Sequence, residues 1–214
     1  MGLTRLLRKA ILIAEPIASI SSGGRMSNGA KRVFTPFTNE LVDTLKIGDR
    51  ILLSGNLYTA RDAAHQRLIQ LMEKREKLPF EIKGQVIYYV GPTPAPPGEI
   101  IGSAGPTTAY RMSKYAPSLI ALGLKGMIGK GAVSPETQEA MKQHKAVYFL
   151  ATGGAGALLR EYITASEIVA YEDLGPEAIR KFTVKDFPVI VAQDCHGGDL
   201  FVEGRKRYSL LENE

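Results

Sequence analysis

Three cationic side chains lie beside small residues where the chain is predicted to pass from one secondary-structure element to the next: Arg61, Arg111 and Lys130. A turn of small residues precedes Arg111, and a helix predicted over residues 107–122 places Thr107 and Arg111 on one face. The first N–H groups of such a helix, together with a guanidinium, favour a carboxylate or a phosphate. A capped helix with an arginine on its surface explains the same residues.

Arg61 forms a second pair of this kind with His65, four residues later, at the start of a helix predicted over residues 61–77. Lys130 lies between two glycines at the end of a short apolar strand, and glycine lets a ligand or a backbone approach closely. Taken singly, each of these cations is typical of a solvated surface. Three cations at element junctions suit a ligand that carries two carboxylates.

The elements that must position these residues alternate between short strands and helices, which indicates an α/β fold. The predicted strands cover residues 50–56, 85–90, 126–128, 146–150, 167–171 and 189–192. The predicted helices cover residues 39–45, 61–77, 107–122, 135–144 and 155–162. Pro117 is expected to end or kink the third of these helices.

Composition allows one domain and argues against a nucleic-acid-binding protein. The 214 residues are 44% hydrophobic, which is enough for a sizeable core. No apolar run reaches the ~20 residues that a membrane span needs. The net charge is +5, but residues 1–32 hold six basic residues against one acidic residue, which leaves 21 of each sign in the remainder. The remainder is therefore neutral, and it contains no recognisable nucleic-acid-binding motif.

Residues 1–25 are interpreted as an N-terminal extension and residues 26–214 as one catalytic domain. The extension is basic, and its apolar stretch is interrupted by Glu15 and Pro16, which makes it a poor signal peptide. Its arginines and serines fit an organelle transit peptide better. A start codon assigned upstream of a true start at Met26 is a third interpretation. We expect the extension to be poorly ordered or loosely packed.

Seven segments, taken in order, resemble the β-subunit or C-terminal catalytic domain of class I fumarate hydratases and the related tartrate dehydratases. They extend over most of the chain, so no single short motif carries the likeness. The segments are residues 47–50, 58–65, 91–98, 102–112, 123–131, 171–175 and 186–188. The resemblance implies a swivelling β/β/α-type domain with a mixed sheet and flanking helices.

The resemblance also implies an iron–sulfur-dependent hydro-lyase whose [4Fe–4S] cluster has three cysteine ligands. This chain has a single cysteine, Cys195, and cannot supply that set. The cluster is therefore expected on a partner α-subunit in an α2β2 hetero-oligomer, with no metal ligand from this chain. A lone cysteine suits a reducing compartment, and we expect a cytoplasmic protein. Beside His196, Cys195 resembles a metal corner, but a turn after a strand explains the pair better.

Family precedent assigns the role of catalytic base to Thr107. A neutral threonine is a weak base, so its alkoxide would need nearby cations, here Arg111 and Lys130. Arg61 and Arg111 are expected to bind the substrate carboxylates through forked hydrogen bonds. Lys130 is expected to stabilise the developing enediolate charge.

Thr108 and His65 complete the substrate-binding residues that the resemblance implies. For His65, orientation of Arg61 and a purely structural role are equally open explanations. Asp62 is interpreted as a helix cap or as a carboxylate that orients an arginine. Two positions depart from the family pattern, because Tyr110 stands where glycine is common and Ser113 where aspartate is common.

The favoured reaction is the reversible hydration of fumarate to (S)-malate. The run 91–98 favours fumarate, whereas residues 194–197 lean toward tartrate, so dehydration of tartrate or another hydroxy-dicarboxylate is the alternative. A non-catalytic assembly module is the rival from a different class of function. The retained threonine and cations argue against such a module.

Overall fold

The computed structural model describes residues 29–209, which form seven strands and six α-helices. The strands are β1 (Lys31–Phe34), β2 (Arg50–Thr59), β3 (Val86–Tyr88), β4 (Gly126–Gly129), β5 (Val147–Leu150), β6 (Ile163–Ala170) and β7 (Ile179–Gln193). The helices are α1 (Asn39–Thr44), α2 (Asp62–Glu73), α3 (Ala116–Ala121), α4 (Pro135–His144), α5 (Gly156–Leu159) and α6 (Leu200–Tyr208). Short 3₁₀ helices lie at Ala109–Met112, Arg160–Tyr162 and Glu172–Glu177. The predicted N-terminal extension, residues 1–25, lies outside the described residues.

All seven strands belong to one mixed sheet in the order β1-β2-β3-β4-β5-β7-β6, in which β2 also pairs with β7. Strands β1 to β5 run parallel, and β7 runs antiparallel to β2, β5 and β6. Strands β2, β3, β4, β5 and β7 therefore form a closed ring, in which each strand pairs with a neighbour on both of its edges. The predicted α/β class, with a mixed sheet and flanking helices, is confirmed; the swivelling description stays a prediction.

Side chains alternate between the two faces of the ring, and each face has its own apolar core. Every strand of the ring supplies large buried side chains to the inner core, among them Leu53, Tyr88, Ile128, Phe149 and Phe187. The outer core joins strand residues to α2, α3 and α4 through Ile87, Met127, Tyr148, Leu68, Leu119 and Met141. The strand ends that carry the predicted site residues are thus held between two packed layers.

The helix predicted over residues 107–122 is wrong. A 3₁₀ helix covers Ala109–Met112, and α3 starts only at Ala116. Backbone groups near Thr107 bond to neighbouring strand ends instead, which removes them from a helical ladder. Pro117 lies in the first turn of α3, where its fixed φ and missing N–H are tolerated, so it begins a helix rather than ending one.

Strand β7 is far longer than the predicted segment 189–192. It contains Pro188 and a residue with positive φ, Asp186 at 53°, both of which are unusual inside a strand. Pairing with β2 on one edge and with β6 and β5 on the other overrides these local signals. Strand β1 and helix α6 were not predicted. Within residues 29–209, no helix combines the length and apolarity needed to cross a bilayer.

Candidate functional site

The predicted site residues lie at the carboxyl ends of the parallel strands. Arg61 comes two residues after β2, and Lys130 directly follows β4. Thr107 and Arg111 belong to the connection between β3 and β4. In α/β sheets this edge is where ligands bind, because loops converge there above a rigid base. The topology therefore brings together four of the predicted residues that are up to about seventy positions apart.

Backbone hydrogen bonds fix Thr107 beside Lys130. The Thr107 N–H donates to the carbonyl of Tyr89 at 2.7 Å, and the Lys130 N–H donates to the carbonyl of Thr107 at 3.0 Å. The Ala109 N–H then donates to the Lys130 carbonyl at 2.9 Å, which completes a short parallel bridge. The positions of the threonine and the lysine are therefore set by main-chain geometry.

Arg111 connects Thr107 to Asp62. Its Nη2 donates to Thr107 Oγ1 at 2.6 Å and lies 3.2 Å from Asp62 Oδ2. The side chains of Arg111 and Asp62 are about half-exposed, so this network opens onto the surface. The contact between positions 107 and 111 is the one predicted, although Arg111 makes it from a 3₁₀ helix that begins at Ala109 rather than along an α-helix that includes Thr107. Of the two interpretations of Asp62, its contact with Arg111 fits the one in which the carboxylate orients an arginine.

Arg61 is held by a carboxylate that the sequence analysis missed. Its Nη2 lies 3.5 Å from Glu177 Oε1, and Glu177 Oε2 accepts a hydrogen bond from the Ala63 N–H at 2.8 Å. Glu177 is 114 residues further along the chain than Ala63 and ends a 3₁₀ helix just before β7. No local motif connects the two positions, and the only sequence signal was that the family-like segment 171–175 ends two residues earlier.

His65 is fully buried, with its ring 5.4 Å from that of Tyr89 and 5.7 Å from that of Tyr115, between centroids. Its Nδ1–H donates to the backbone carbonyl of Arg61 at 2.8 Å, so Nε2 carries the lone pair of a neutral ring. Burial lowers the pKa of His65 to about 4. Within the described part of the chain, neither His65 Nε2 nor the Tyr89 hydroxyl has a hydrogen-bond partner.

The position of His65 supports one of its predicted roles over another. A ring with no exposed surface does not reach a ligand at the sheet edge, whereas its bond to the Arg61 carbonyl fixes the residue that carries the guanidinium. Tyr89 contacts the same ring and also accepts the Thr107 N–H through its carbonyl. Orientation of Arg61 therefore fits His65 better than direct substrate contact.

Lys130 and Thr108 are both exposed at the mouth of the site. A β-carbon built on Gly153, in the loop after β5, would lie 3.5 Å from Cδ of Lys130, so the lysine stem passes close to that loop. The proline-rich segment 92–97 has no regular secondary structure. Thr93 bonds to Ser103 through its backbone N–H at 3.0 Å and its hydroxyl at 2.7 Å, which ties this segment to the turn before Thr107.

Cys195 and His196 lie at the opposite edge of the sheet, after β7, together with Asp43 at the end of α1. Possible ligand atoms of the three residues lie within 4.8 Å of one another. The Asp43 carboxylate, however, is 2.5 Å from the Lys145 ammonium, and His196 Nε2 lies 3.0 Å from the Asp43 carbonyl. Burial raises the pKa of the Cys195 thiol. These contacts are typical of a packed turn and are far from the carboxyl ends of the strands.

The chain matches the model of the family described as Fumarase C-terminus over residues 19–204. It is 34% identical over 184 residues to the L(+)-tartrate dehydratase subunit beta of Escherichia coli K12, an alignment that covers 84% of this chain and 90% of that protein. A protein of Methanocaldococcus jannaschii, provisionally named as an L(+)-tartrate dehydratase subunit beta, is 36% identical over 187 residues. That alignment covers 85% of this chain and 96% of the M. jannaschii protein.

A third relative is a single, longer chain. The aerobic class I fumarate hydratase of Escherichia coli K12 is 41% identical over 157 residues, which are 72% of this chain and 29% of that protein. The same kind of module thus occurs as almost the whole of one relative and as less than a third of another.

Proposed function

This chain belongs to the Fumarase C-terminus family, and from that premise we propose that it is the β-subunit of a hydro-lyase that reversibly hydrates fumarate to (S)-malate. One observation carries the proposal: Thr107 Oγ1 accepts a 2.6 Å hydrogen bond from Arg111 beside the backbone of Lys130. A hydroxyl that receives a guanidinium N–H at the carboxyl edge of parallel strands suits proton transfer next to an anionic ligand.

The residues of this chain account for binding the diacid and for moving its proton. In the dehydration direction, a base must remove a proton from the carbon beside one carboxylate while hydroxide leaves the neighbouring carbon. The departure of hydroxide needs a Lewis acid, which is the chemistry that a cluster held by the partner subunit would supply. Thr107 is the proposed base, because the N–H donated by Arg111 stabilises negative charge on its oxygen. Lys130 then stabilises the charge that gathers on the adjacent carboxylate as the proton leaves.

The second carboxylate of the substrate is assigned to Arg61, whose side chain is about one quarter exposed beside Glu177. A guanidinium binds a carboxylate in a planar fork, so it can fix orientation as well as charge. Thr108 is the further polar group at the mouth. His65 does not contact the substrate in this proposal; it positions Arg61 by a hydrogen bond to the Arg61 backbone carbonyl.

The cofactor of the proposal is a [4Fe–4S] cluster, which must come from another polypeptide. Such a cluster needs several cysteine thiolates, and the sole thiol of this chain is buried at the far edge of the sheet. The donor set of this chain therefore does not fit the cluster. Two of the relatives are named as beta subunits, which supports a partner α-subunit. An α2β2 assembly, a swivelling domain and a cytoplasmic location belong to the same proposal.

L(+)-tartrate is the second candidate substrate. The match to the tartrate dehydratase subunit extends over 90% of that protein, whereas the fumarate hydratase match has the higher identity, 41%, over a shorter region. Both substrates are dicarboxylates, so the two arginines and the lysine serve either reaction. A non-catalytic assembly module would need none of these side chains.

The test is a hydratase assay under anaerobic conditions, with this chain co-expressed with a cysteine-bearing α-subunit from the same source. Fumarate and L(+)-tartrate are supplied separately, and each subunit alone is the control. Activity on fumarate that requires both chains is the expected result. Faster turnover of tartrate would reassign the substrate. An assembled, cluster-loaded pair that acts on neither diacid would contradict the hydro-lyase proposal.

A further inference from the structure

Three exposed large apolar side chains in the described residues, including the two most exposed, lie in segments next to the candidate site; Phe34 on β1, 58% exposed, is not among them. Tyr110 is 65% exposed and Leu158 is 60% exposed, and Ile100 is 49% exposed. Tyr110 directly precedes Arg111, Leu158 lies on α5, and Ile100 follows the proline-rich segment in the long connection between β3 and the 3₁₀ helix at Ala109–Met112. We call these three residues the apolar rim. Exposed apolar area of this kind beside a polar site is typical of a surface that another protein covers.

Direct contacts join the segments that carry the rim. The Ala104 N–H donates to the Gly156 carbonyl at 3.0 Å, which fastens the turn before Thr107 to the start of α5. Arg160, just after α5, lies 3.4 Å from Glu99 Oε1, which fastens the end of α5 to the residue before Ile100. The segments that carry Ile100 and Leu158 are therefore joined directly, and the turn at Ala104 continues along the chain to Tyr110.

Close packing makes this surface rigid. A β-carbon on Gly156 would stand 2.8 Å from the backbone nitrogen of Gly105, so α5 and the turn approach as closely as two backbones allow. Below the surface, Ile101, Ala104 and Leu159 are buried in the inner core of the ring. A partner would meet a preformed surface, which lowers the entropy lost on association.

The choice of partner follows from the lengths of the relatives. The module is 90% of a protein named as a beta subunit, but only 29% of a single-chain fumarate hydratase. In the longer chain, this module is covalently linked to a large region outside the aligned residues. A separate polypeptide equivalent to that region is the expected occupant of an uncovered surface around the site.

We propose that the apolar rim, Ile100, Tyr110 and Leu158, is where the cluster-bearing α-subunit docks, so that docking covers the mouth of the site. The inference rests on the proposed function, because it takes the partner from it. It adds which surface of this chain makes the contact. It also gives a use to Tyr110, which departs from the family pattern: a tyrosine beside Arg111 supplies a large, rigid contact at the edge of the site.

The test compares Leu158→Arg and Tyr110→Asp with the matched control Leu122→Arg. Leu122 is the same residue type as Leu158 and is 47% exposed, but it follows α3 at the opposite edge of the sheet. Thermal unfolding of each isolated variant shows that it is folded. Binding to the purified α-subunit is measured anaerobically by titration and by light scattering after size exclusion, and activity on both diacids is measured in parallel.

We expect Leu158→Arg and Tyr110→Asp each to weaken binding at least about tenfold, with Leu122→Arg indistinguishable from wild type. Rim variants that bind like wild type would overturn the inference, as would an equal loss in Leu122→Arg. A wild-type chain that dimerises alone and becomes monomeric with Leu158→Arg would also overturn it, since a second copy would then cover the rim. Weakened binding in a pair that turns over neither diacid would uphold the docking surface and contradict only the proposed function.

Discussion

Gly91 lies directly against the guanidinium of Arg61: a β-carbon built on Gly91 would stand 2.8 Å from Nη1 and 3.0 Å from Cδ. The φ of Gly91 is outside the left-handed region, and the added β-carbon would also stand 3.1 Å from the backbone oxygen of Pro176, a close contact that a small shift of that loop relieves. Gly91→Ala should therefore move the arginine and leave the fold intact. We expect the KM for the diacid to rise about tenfold, which corresponds to ~1.4 kcal/mol of lost binding, with a smaller change in kcat.

The control for this variant is Gly204→Ala on helix α6, where an added β-carbon meets no atom within 4 Å. It should leave KM unchanged and stabilise the chain by up to about 1 kcal/mol, as alanine does in helix interiors. Steady-state kinetics of the assembled pair provide the measurement. An unchanged KM in Gly91→Ala would mean that Arg61 does not bind substrate.

Thr107 can be tested with two near-isosteric replacements. Thr107→Val keeps the shape and removes the hydroxyl, so kcat should fall by about 10³-fold or more if this oxygen is the base. Thr107→Ser keeps the oxygen that Arg111 donates to, and it should retain activity within about tenfold of wild type. Thr108→Val is the neighbouring comparison, expected to act on KM. Equal kcat losses in the valine and serine variants would exclude the proposed proton transfer.

Arg111 contacts Thr107 and Asp62 through the same nitrogen, Nη2. Its planar guanidinium can also offer a substrate carboxylate two parallel N–H groups, a geometry that a lysine cannot reproduce. Arg111→Lys should lower kcat/KM by about 10²-fold although the charge is kept. Asp62→Asn keeps the side-chain shape and removes one charge from a half-exposed pair, so a loss of only a few-fold is expected. If the lysine variant were fully active, a point charge would be sufficient at this position, and the planar shape of the guanidinium would have no catalytic part.

His65 should make stability depend on pH in a defined interval. Its native pKa is about 4, below the unfolded value of 6.5. Between these pH values, His65 is protonated in the unfolded chain but neutral in the native protein. The free energy of unfolding therefore falls as pH drops from about 6.5 to 4. Relative to His65→Phe, wild type should lose on the order of 3 kcal/mol over that interval. Denaturant unfolding of both proteins at pH 7 and pH 4 measures the difference.

The same position has an activity readout. His65→Asn can still donate a hydrogen bond to the Arg61 carbonyl, whereas His65→Phe cannot. If His65 positions Arg61, the phenylalanine variant should raise KM more than kcat falls, and the asparagine variant should recover part of that loss. Identical kinetics in the two variants would leave His65 with a packing role alone.

Short-range sequence patterns predicted those elements whose position depends on neighbouring residues. The short apolar runs at β2, β4 and β5 and the capped helix α4 were found because periodicity and turn residues are short-range properties. The cations at element ends were found for the same reason. The contact of Arg111 with Thr107 was predicted from an incorrect helix. The contact forms because the 3₁₀ helix at Ala109–Met112 begins just after Thr107 and the Arg111 side chain reaches back to it.

Long-range pairing decided the rest. Glu177 reaches Arg61 only because β7 returns antiparallel along β2, and no pattern near Glu177 announces that register. Thr108 is extended because the residues on either side of it, Thr107 and Ala109, hydrogen-bond to the backbones of Tyr89 and Lys130. These backbone conformations depend on hydrogen-bond partners tens of residues away, which no local sequence pattern contains.

The closure of the ring by β7 has a consequence for synthesis. Strands β2 to β5 lie within residues 50–150, yet the strand that pairs with both ends of that set is complete only at Gln193. A nascent chain that has reached β5 therefore carries two unpaired, apolar strand edges, which favour aggregation. Those edges are covered only after the ribosome has translated β7. A translational pause between β5 and β7 would therefore prolong the stage at which the nascent chain is most prone to aggregate.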